Sequence, residues 1–405
     1  MLPEKKYSLF LGKILGGYNF VNMLYGAAYM VFMNERGLDG FSISIIFAIS
    51  SLSYAIFDYP SGNIADRYGR KKTAALGFLI WGIGLIGFSL SNIVFSFAFF
   101  TVISSLGVSL ISGTPQSWYV DKLKEIGKIE YKNRVIPILS GALSIFSAFG
   151  AFVASFATGI KDFNVSTVLL MAGIFSLLIA PSTFIFFKDN YGERQANTLV
   201  KDVIISTKKF FNDKSMKSLL LFYILRSIPL TSFLLVWQLY ALNDVGVRSE
   251  HIGIFLVGFM IVQSIAGFLS SKLLSKFPRM TNFKLTVYGG IINVLAFVLI
   301  LIFGANIILF IISASILEFG IGLEYANAGA WMHDIIPSEK RSTYLSALSA
   351  INSGSNFILV LFLGLAMDLF GRSSVWIVAI IAQSISLMYL ALILRKLIVK
   401  TKGLS

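Results

Sequence analysis

Five charged side chains interrupt the apolar runs of this 405-residue chain: Lys13, Asp58, Arg226, Glu318 and Glu324. An ion moved from water into an apolar medium loses its hydration, so each needs an opposite charge, a proton or water. Arg226 and Glu324 carry opposite charges, and a buried opposite pair lowers the desolvation cost of both partners, so the two are expected to form a bridge. Glu318 falls near the middle of its run, where a carboxylate needs a partner or a proton and can exchange that proton. Glu318 and Glu324 are six residues apart, about 120° around a helix, so they need not act together. Asp58 and Glu324 are the other two candidates for proton exchange. Lys13 is either a ligand contact or a side chain that snorkels to the membrane interface.

The elements that must position these groups are apolar helices. Crossing a bilayer takes about 20 apolar residues. Runs of that kind fall near 9–33, 43–64, 73–91, 93–119, 135–159, 167–187, 219–242, 252–271, 283–304, 306–332, 342–367 and 373–396. The fold class expected is an all-α membrane protein with twelve transmembrane helices. Lys and Arg in the connecting segments set the orientation. With the N-terminus cytoplasmic, 28 of the 34 lie on the cytoplasmic side, and only Arg36, Lys161, Arg248 and Arg372 lie opposite. Both termini are therefore expected in the cytoplasm. The N-terminal Met1-Leu2-Pro3-Glu4-Lys5-Lys6 runs straight into the first apolar run and is read as the start of a retained span.

The longest polar stretch, 188–218, divides the chain into an N-terminal six-helix bundle, 1–187, and a C-terminal one, 219–405. Leu199, Val203, Phe210 and Phe211 among lysines suggest a short surface helix in that linker, with a disordered basic segment as the alternative. The halves repeat. Trp118-Tyr119-Val120-Asp121 and Trp331-Met332-His333-Asp334 close the fourth and tenth runs. Asn34-Glu35-Arg36-Gly37 and Asn243-Asp244-Val245-Gly246 follow the first and seventh. Gly62, Asp66 and Arg67 have a degraded echo in Gly267, Ser271 and Lys272. Repeats of this kind place a substrate near the midplane between them.

Between the second and third runs stands Gly62-Asn63-Ile64-Ala65-Asp66-Arg67-Tyr68-Gly69-Arg70-Lys71-Lys72. Gly62 permits close helix approach, and Gly69 a tight turn. Asp66 is an anion at the membrane edge, where a helix N-terminus offers N–H groups and partial positive charge. Arg70, Lys71 and Lys72 suit anionic headgroups. A merely topogenic basic loop would explain the cations but not the spacing of glycines and aspartate. The stretch resembles the signature of the major facilitator superfamily, G-x-x-x-D-R-x-G-R-[RK], at every defined position.

That resemblance implies two pseudo-symmetric six-helix bundles and a gating role for Gly62, Asp66, Arg67, Gly69, Arg70 and Lys71. Asp66 would engage the start of the eleventh span, here Arg341-Ser342-Thr343. It further implies that spans 1, 4, 7 and 10 line the cavity, which adds Tyr25, Trp118, Trp237 and Gln238 to Lys13 and Arg226 as substrate-cavity candidates, although aromatic residues there also serve packing. Asp58-Tyr59-Pro60-Ser61-Gly62 resembles an acidic-x-Pro-[Ser/Thr]-Gly stretch of bacterial members, in which Asp58 is either structural or functional.

Composition narrows the classes. Hydrophobic residues make up 56% and charged residues 13%, against about 25% charged in soluble domains. The net charge of +14 sits in short loops and forms no basic domain for nucleic acid. No cysteine and two histidines, His251 and His333, exclude disulfides and argue against a metal site. No nucleotide or nucleophile motif suggests an enzyme, and no cofactor is expected. The expectation is a secondary active transporter in the cytoplasmic membrane, a monomer moving a small solute by alternating access, coupled to protons and exporting. Similarity to the molybdate-anion branch in Ser117-Trp118-Tyr119, Asn190-Tyr191-Gly192-Glu193 and Ile336-Pro337 leaves oxyanion uptake as the alternative, with Arg226 as counter-charge. A non-transporting receptor is the alternative of another class.

Overall fold

In lipid the backbone must satisfy its own hydrogen bonds, which selects helices. A computed structural model of the chain describes residues 2–112, 114–160, 164–186, 189, 211, 213–277, 280–335 and 341–394. The helices are α1 (Pro3–Gly26), α2 (Tyr29–Glu35), α3 (Gly40–Tyr68), α4 (Arg70–Ser89), α5 (Val94–Ile111), α6 (Thr114–Glu125), α7 (Tyr131–Thr158) and α8 (Val165–Phe186). They continue as α9 (Lys214–Asn243), α10 (Ser249–Lys276), α11 (Asn282–Phe303), α12 (Ile307–Ile335), α13 (Arg341–Phe370) and α14 (Ser373–Tyr389), followed by a π-helical turn, Leu390–Leu394. The expected helix in the 188–218 linker lies almost wholly outside the described residues.

Ten stretches among the described residues are long and apolar enough to cross a membrane. The first and fifth expected spans are not among them. α1 carries Glu4, Lys5, Lys6 and Lys13, and the apolar part of α7 is shorter, Ala142–Thr158. The first span is also broken. The Ala28 N–H turns back to the Tyr25 carbonyl at 2.9 Å, and the chain restarts as α2. The fourth span divides at Ser112, which leaves the helix with ψ 125°. α6 begins at Thr114-Pro115, and proline suits a first helical turn.

Sequence-encoded caps fix several ends. Asp39 accepts from the Ser42 N–H at 2.7 Å, and hydrogen bonds from Ser42 hold its carboxyl below the usual carboxylate range. Asp213 and Thr281 cap α9 and α11 in the same way. The glycines after the first and seventh spans, Gly37 and Gly246, both have positive φ, 76° and 77°, but the turns bond differently: the Leu38 N–H reaches the Met33 carbonyl, whereas the Val247 N–H reaches that of Ala241.

Cα proximity separates the chain into two units, Met1–Ala196 with Arg248–Val257, and Asn197–Val247 with Gly258–Ser405. Each contains the same helix crossing. In the first, a Cβ on Gly77 would lie 2.9 Å from the Gly107 carbonyl oxygen, and one on Gly107 2.7 Å from that of Gly77. In the second, Gly289 and Gly320 stand in the same relation at 2.8 and 3.0 Å. The backbones of α4 and α5, and of α11 and α12, are thus in direct contact.

Three of the four cations expected opposite the cytoplasmic side are tied locally. Arg36 Nη1 donates to Asn92 Oδ1, Arg248 pairs with Glu250 at 2.9 Å, and Arg372 pairs with Asp244 at 3.1 Å. Lys161 lies outside the described residues.

Gly289→Ala should destabilise the protein by about 1–3 kcal/mol, because the methyl must displace backbone. Gly258→Ala, whose Cβ meets nothing within 4 Å, should be neutral or slightly stabilising. Thermal unfolding of both variants in detergent checks the contrast, and equal midpoints would contradict the crossing.

Candidate functional site

The polar groups of the second unit converge on α12. Glu324 is 2% exposed, and its Oε2 accepts from Asn293 Nδ2 of α11 at 2.7 Å and from Gln383 Nε2 of α14 at 3.0 Å. The glycine crossing makes this enclosure possible. A Cβ on Gly289 would lie 2.6 Å from the Glu324 backbone N, and one on Gly290 2.8 Å from Gln383 Nε2. Ser270 donates to Asn327 at 2.9 Å one turn further along α12, and Trp331 donates to Thr286 at 3.0 Å.

Glu318 is 7% exposed. Its Oε2 accepts from Gln263 Nε2 of α10 at 2.8 Å, and no cation lies within 4.0 Å among the described residues. Both buried carboxylates are therefore held by neutral amides, and neither charge is cancelled by direct pairing.

The expected Arg226–Glu324 bridge is not present. No ion pair within 4.0 Å joins them among the described residues, although Arg226 is near enough to attract the carboxylate through space. The guanidinium, on α9 and 6% exposed, lies instead over the ring of Tyr325 at 3.9 Å, with Tyr223 at 5.3 Å and Phe222 at 5.9 Å. Tyr325 also donates to the Arg226 carbonyl at 3.2 Å. Aromatic faces stabilise a desolvated cation, and the two amides have already claimed the carboxylate, so each charge found a partner other than the opposite one.

In the first unit the motif forms a turn with φ 104° at Gly69, which ends α3 and opens α4. Asp189, just past α8, closes on this turn. Its Oδ1 accepts the Lys71 N–H at 3.0 Å, and a Cβ on Gly69 would lie 2.5 Å from its Oδ2. Arg70, buried, pairs with Asp121 of α6 at 2.5 Å. It therefore serves the protein, not the headgroups. The Lys71 ammonium lies 4.5 Å from the Phe184 ring centre. Arg67 is exposed beside Tyr68. The side chains of Gly62 and Asp66, and those of Arg341, Ser342 and Thr343, lie outside the described residues.

The remaining candidates are dispersed. Lys13 is exposed, and Asp58 is half-buried beside Tyr54, whose hydroxyl donates to Ser112 at 3.2 Å. Tyr25 stacks on Tyr29 with ring centres 4.7 Å apart. Trp118 is buried edge-on to Tyr7, and Trp237 is buried between Phe233 and Phe259. Gln238 is buried beside it. The rings of Trp118, Trp237 and Tyr25 are thus all in contact with other aromatic rings.

Sequence reading missed Asn293, Gln383, Gln263 and Tyr325, which hold the buried charges, and Asp121 and Asp189, which bind the motif. The available signal was amides inside apolar helices, where a side-chain hydrogen bond between helices is expected.

An all-helical chain that encloses carboxylates and a guanidinium among membrane-length apolar helices is a multi-pass membrane protein that keeps polar chemistry inside the bilayer. The chain belongs to the Major Facilitator Superfamily, whose model matches residues 9–358, and it is a membrane transporter. Multidrug resistance protein 2 of Bacillus subtilis (strain 168) is 22% identical over 272 residues, 66% of this chain and 66% of that protein, just under two thirds of its length. Multi-drug resistance efflux pump PmrA of Streptococcus pneumoniae is 22% identical over 302 residues, 69% of this chain and 71% of that one. A variant of the nucleoside transporter NupG superimposes with TM-score 0.79 at 14% identity, over 94% of this chain and 99% of that one, a likeness of fold.

Gln383→Leu should destabilise by about 1–3 kcal/mol by removing a donor from a buried carboxylate. Glu324→Met should also destabilise, and the pair by less than the sum, because both changes break one interaction. Unfolding midpoints of the four proteins measure the coupling, and strict additivity would remove it.

Proposed function

We propose that this transporter exports a small organic solute across the cell membrane by alternating access, driven by inward movement of protons. In this reading α1 with α2, and α7, supply the two spans beyond the ten apolar ones. Both termini face the cytoplasm, residues 1–187 and 219–405 act as related bundles joined by 188–218, and one chain works alone. Export is supported by the resemblance to multidrug resistance and efflux proteins. The oxyanion-uptake alternative draws no support from these relatives.

One observation carries the proton coupling. Glu318 is a buried carboxylate whose hydrogen-bond partner is a neutral amide. A carboxyl so placed is neutralised most simply by a proton. Gln263 can donate to it in either protonation state, so the site survives both halves of a cycle. Glu324 and Asp58 are the other carboxylates available for the same role, and the motif around Asp66 and Gly69 supplies the gate.

Everted vesicles or proteoliposomes carrying a panel of organic solutes, with and without a pH gradient, test this reading. Wild type should accumulate at least one solute only when the gradient is present, and the absence of gradient-driven flux for every solute would contradict it. Glu318→Gln should retain solute binding and lose the response to the gradient. Gradient-driven transport surviving in that variant would move the coupling role to Glu324 or Asp58. Asp66→Asn should insert and fold normally while flux falls about tenfold or more, and wild-type flux there would remove the gating role.

A further inference from the structure

A guanidinium in a low-dielectric environment normally spends its N–H donors on acceptors, since each buried unmet donor is costly. Arg226 does not. Its Nε and Nη1, which carry most of its N–H donors, have no hydrogen-bond partner among the described residues and no contact with solvent. Two oxygens near it are engaged elsewhere. Glu324 Oε2 receives Asn293 and Gln383, and the Tyr325 hydroxyl donates to the Arg226 main chain. The rings of Tyr325, Tyr223 and Phe222 lie around the cation, their centres 3.9, 5.3 and 5.9 Å from it. Phe222 continues into an apolar cluster with Met216, Leu219 and Trp331 on one side of the group.

A cation shielded on its faces, unmet at its edges and bordered by apolar side chains is complementary to an oxyanion attached to an apolar body. We propose that Arg226, with Tyr223 and Tyr325, forms the subsite that receives the carboxylate of a hydrophobic organic acid, and that Glu324 competes with that carboxylate for the guanidinium. An anion arriving there supplies the acceptors the fold withholds. Charge-assisted hydrogen bonds to a planar guanidinium fix its orientation. The inference rests on the exporter reading for the direction in which the acid travels, but the subsite is defined by binding alone.

The test therefore uses equilibrium binding to the full-length protein in nanodiscs, with no gradient. Benzoate and 1-naphthoate are the probes, compared with the isosteric neutral benzamide and with inorganic sulfate. Wild type should bind 1-naphthoate more tightly than benzoate, and benzoate at least tenfold more tightly than benzamide or sulfate. Arg226→Gln should weaken benzoate at least tenfold and leave benzamide unchanged, whereas Arg226→Lys should lose less. Glu324→Gln should strengthen benzoate by removing its competitor. Equal binding of benzoate and benzamide to wild type, a comparison that needs no variant, would overturn the proposal, as would undiminished benzoate binding in Arg226→Gln. Failure of pH-driven flux alongside selective benzoate binding would count against the exporter reading alone.

Discussion

Direct backbone contact between α11 and α12 at Gly289 and Gly320 is the constraint on which the second unit depends. Lipid gives helices little hydrophobic reason to associate, so close van der Waals approach and inter-helix hydrogen bonds must hold them. The crossing supplies the first, and it brings Asn293 of α11 within reach of Glu324. Gln383 of α14 completes the enclosure because Gly290 leaves space for it. A buried carboxylate and a tight helix interface are thus one arrangement, and the glycines that permit the packing also place the charge.

The first unit uses the same crossing, and no buried carboxylate accompanies it among the described residues. Gly77 and Gly107 bring α4 and α5 together, while its charge pairing lies at the ends of the helices, in Arg70 with Asp121 and in Asp189 with the Lys71 amide. The two units share a packing scheme but place their ions differently. One pairs them directly at helix ends, as Arg70 does with Asp121. The other holds them among apolar helices, where neutral amides and aromatic faces do that work.

Element types and most boundaries were legible in the sequence because spans announce themselves by length and apolarity, and the motif by fixed spacing. The repeated Asn-x-x-Gly segments end in glycines that both take positive φ, at Gly37 and Gly246. Partnerships were not legible. Opposite charges on Arg226 and Glu324 suggested a pair, but helix rotation decides which neighbours a side chain meets, and rotation is set by packing at Gly289 and Gly290. The breaks at Ala27 and Ser112 were hidden for a related reason, since an apolar run reads the same whether one helix or two traverse it. Asp121 was legible only as the end of the repeated Trp118-Tyr119-Val120-Asp121 segment, and nothing local marks it or Asp189 as a partner of residues 51 and 118 positions away.

That last separation bears on how the chain is made. The anionic cap of α4 is encoded 118 residues after the amide it receives. At ordinary elongation rates the ribosome needs roughly ten seconds to reach it. Until then the Lys71 amide in the first turn of α4 lacks this acceptor, although Asp121, the partner of Arg70, has already been made. The turn at Gly69 is thus completed by a residue just past α8, so order of emergence makes Asp189 the last of its described partners to be made, shortly before synthesis of the second unit begins.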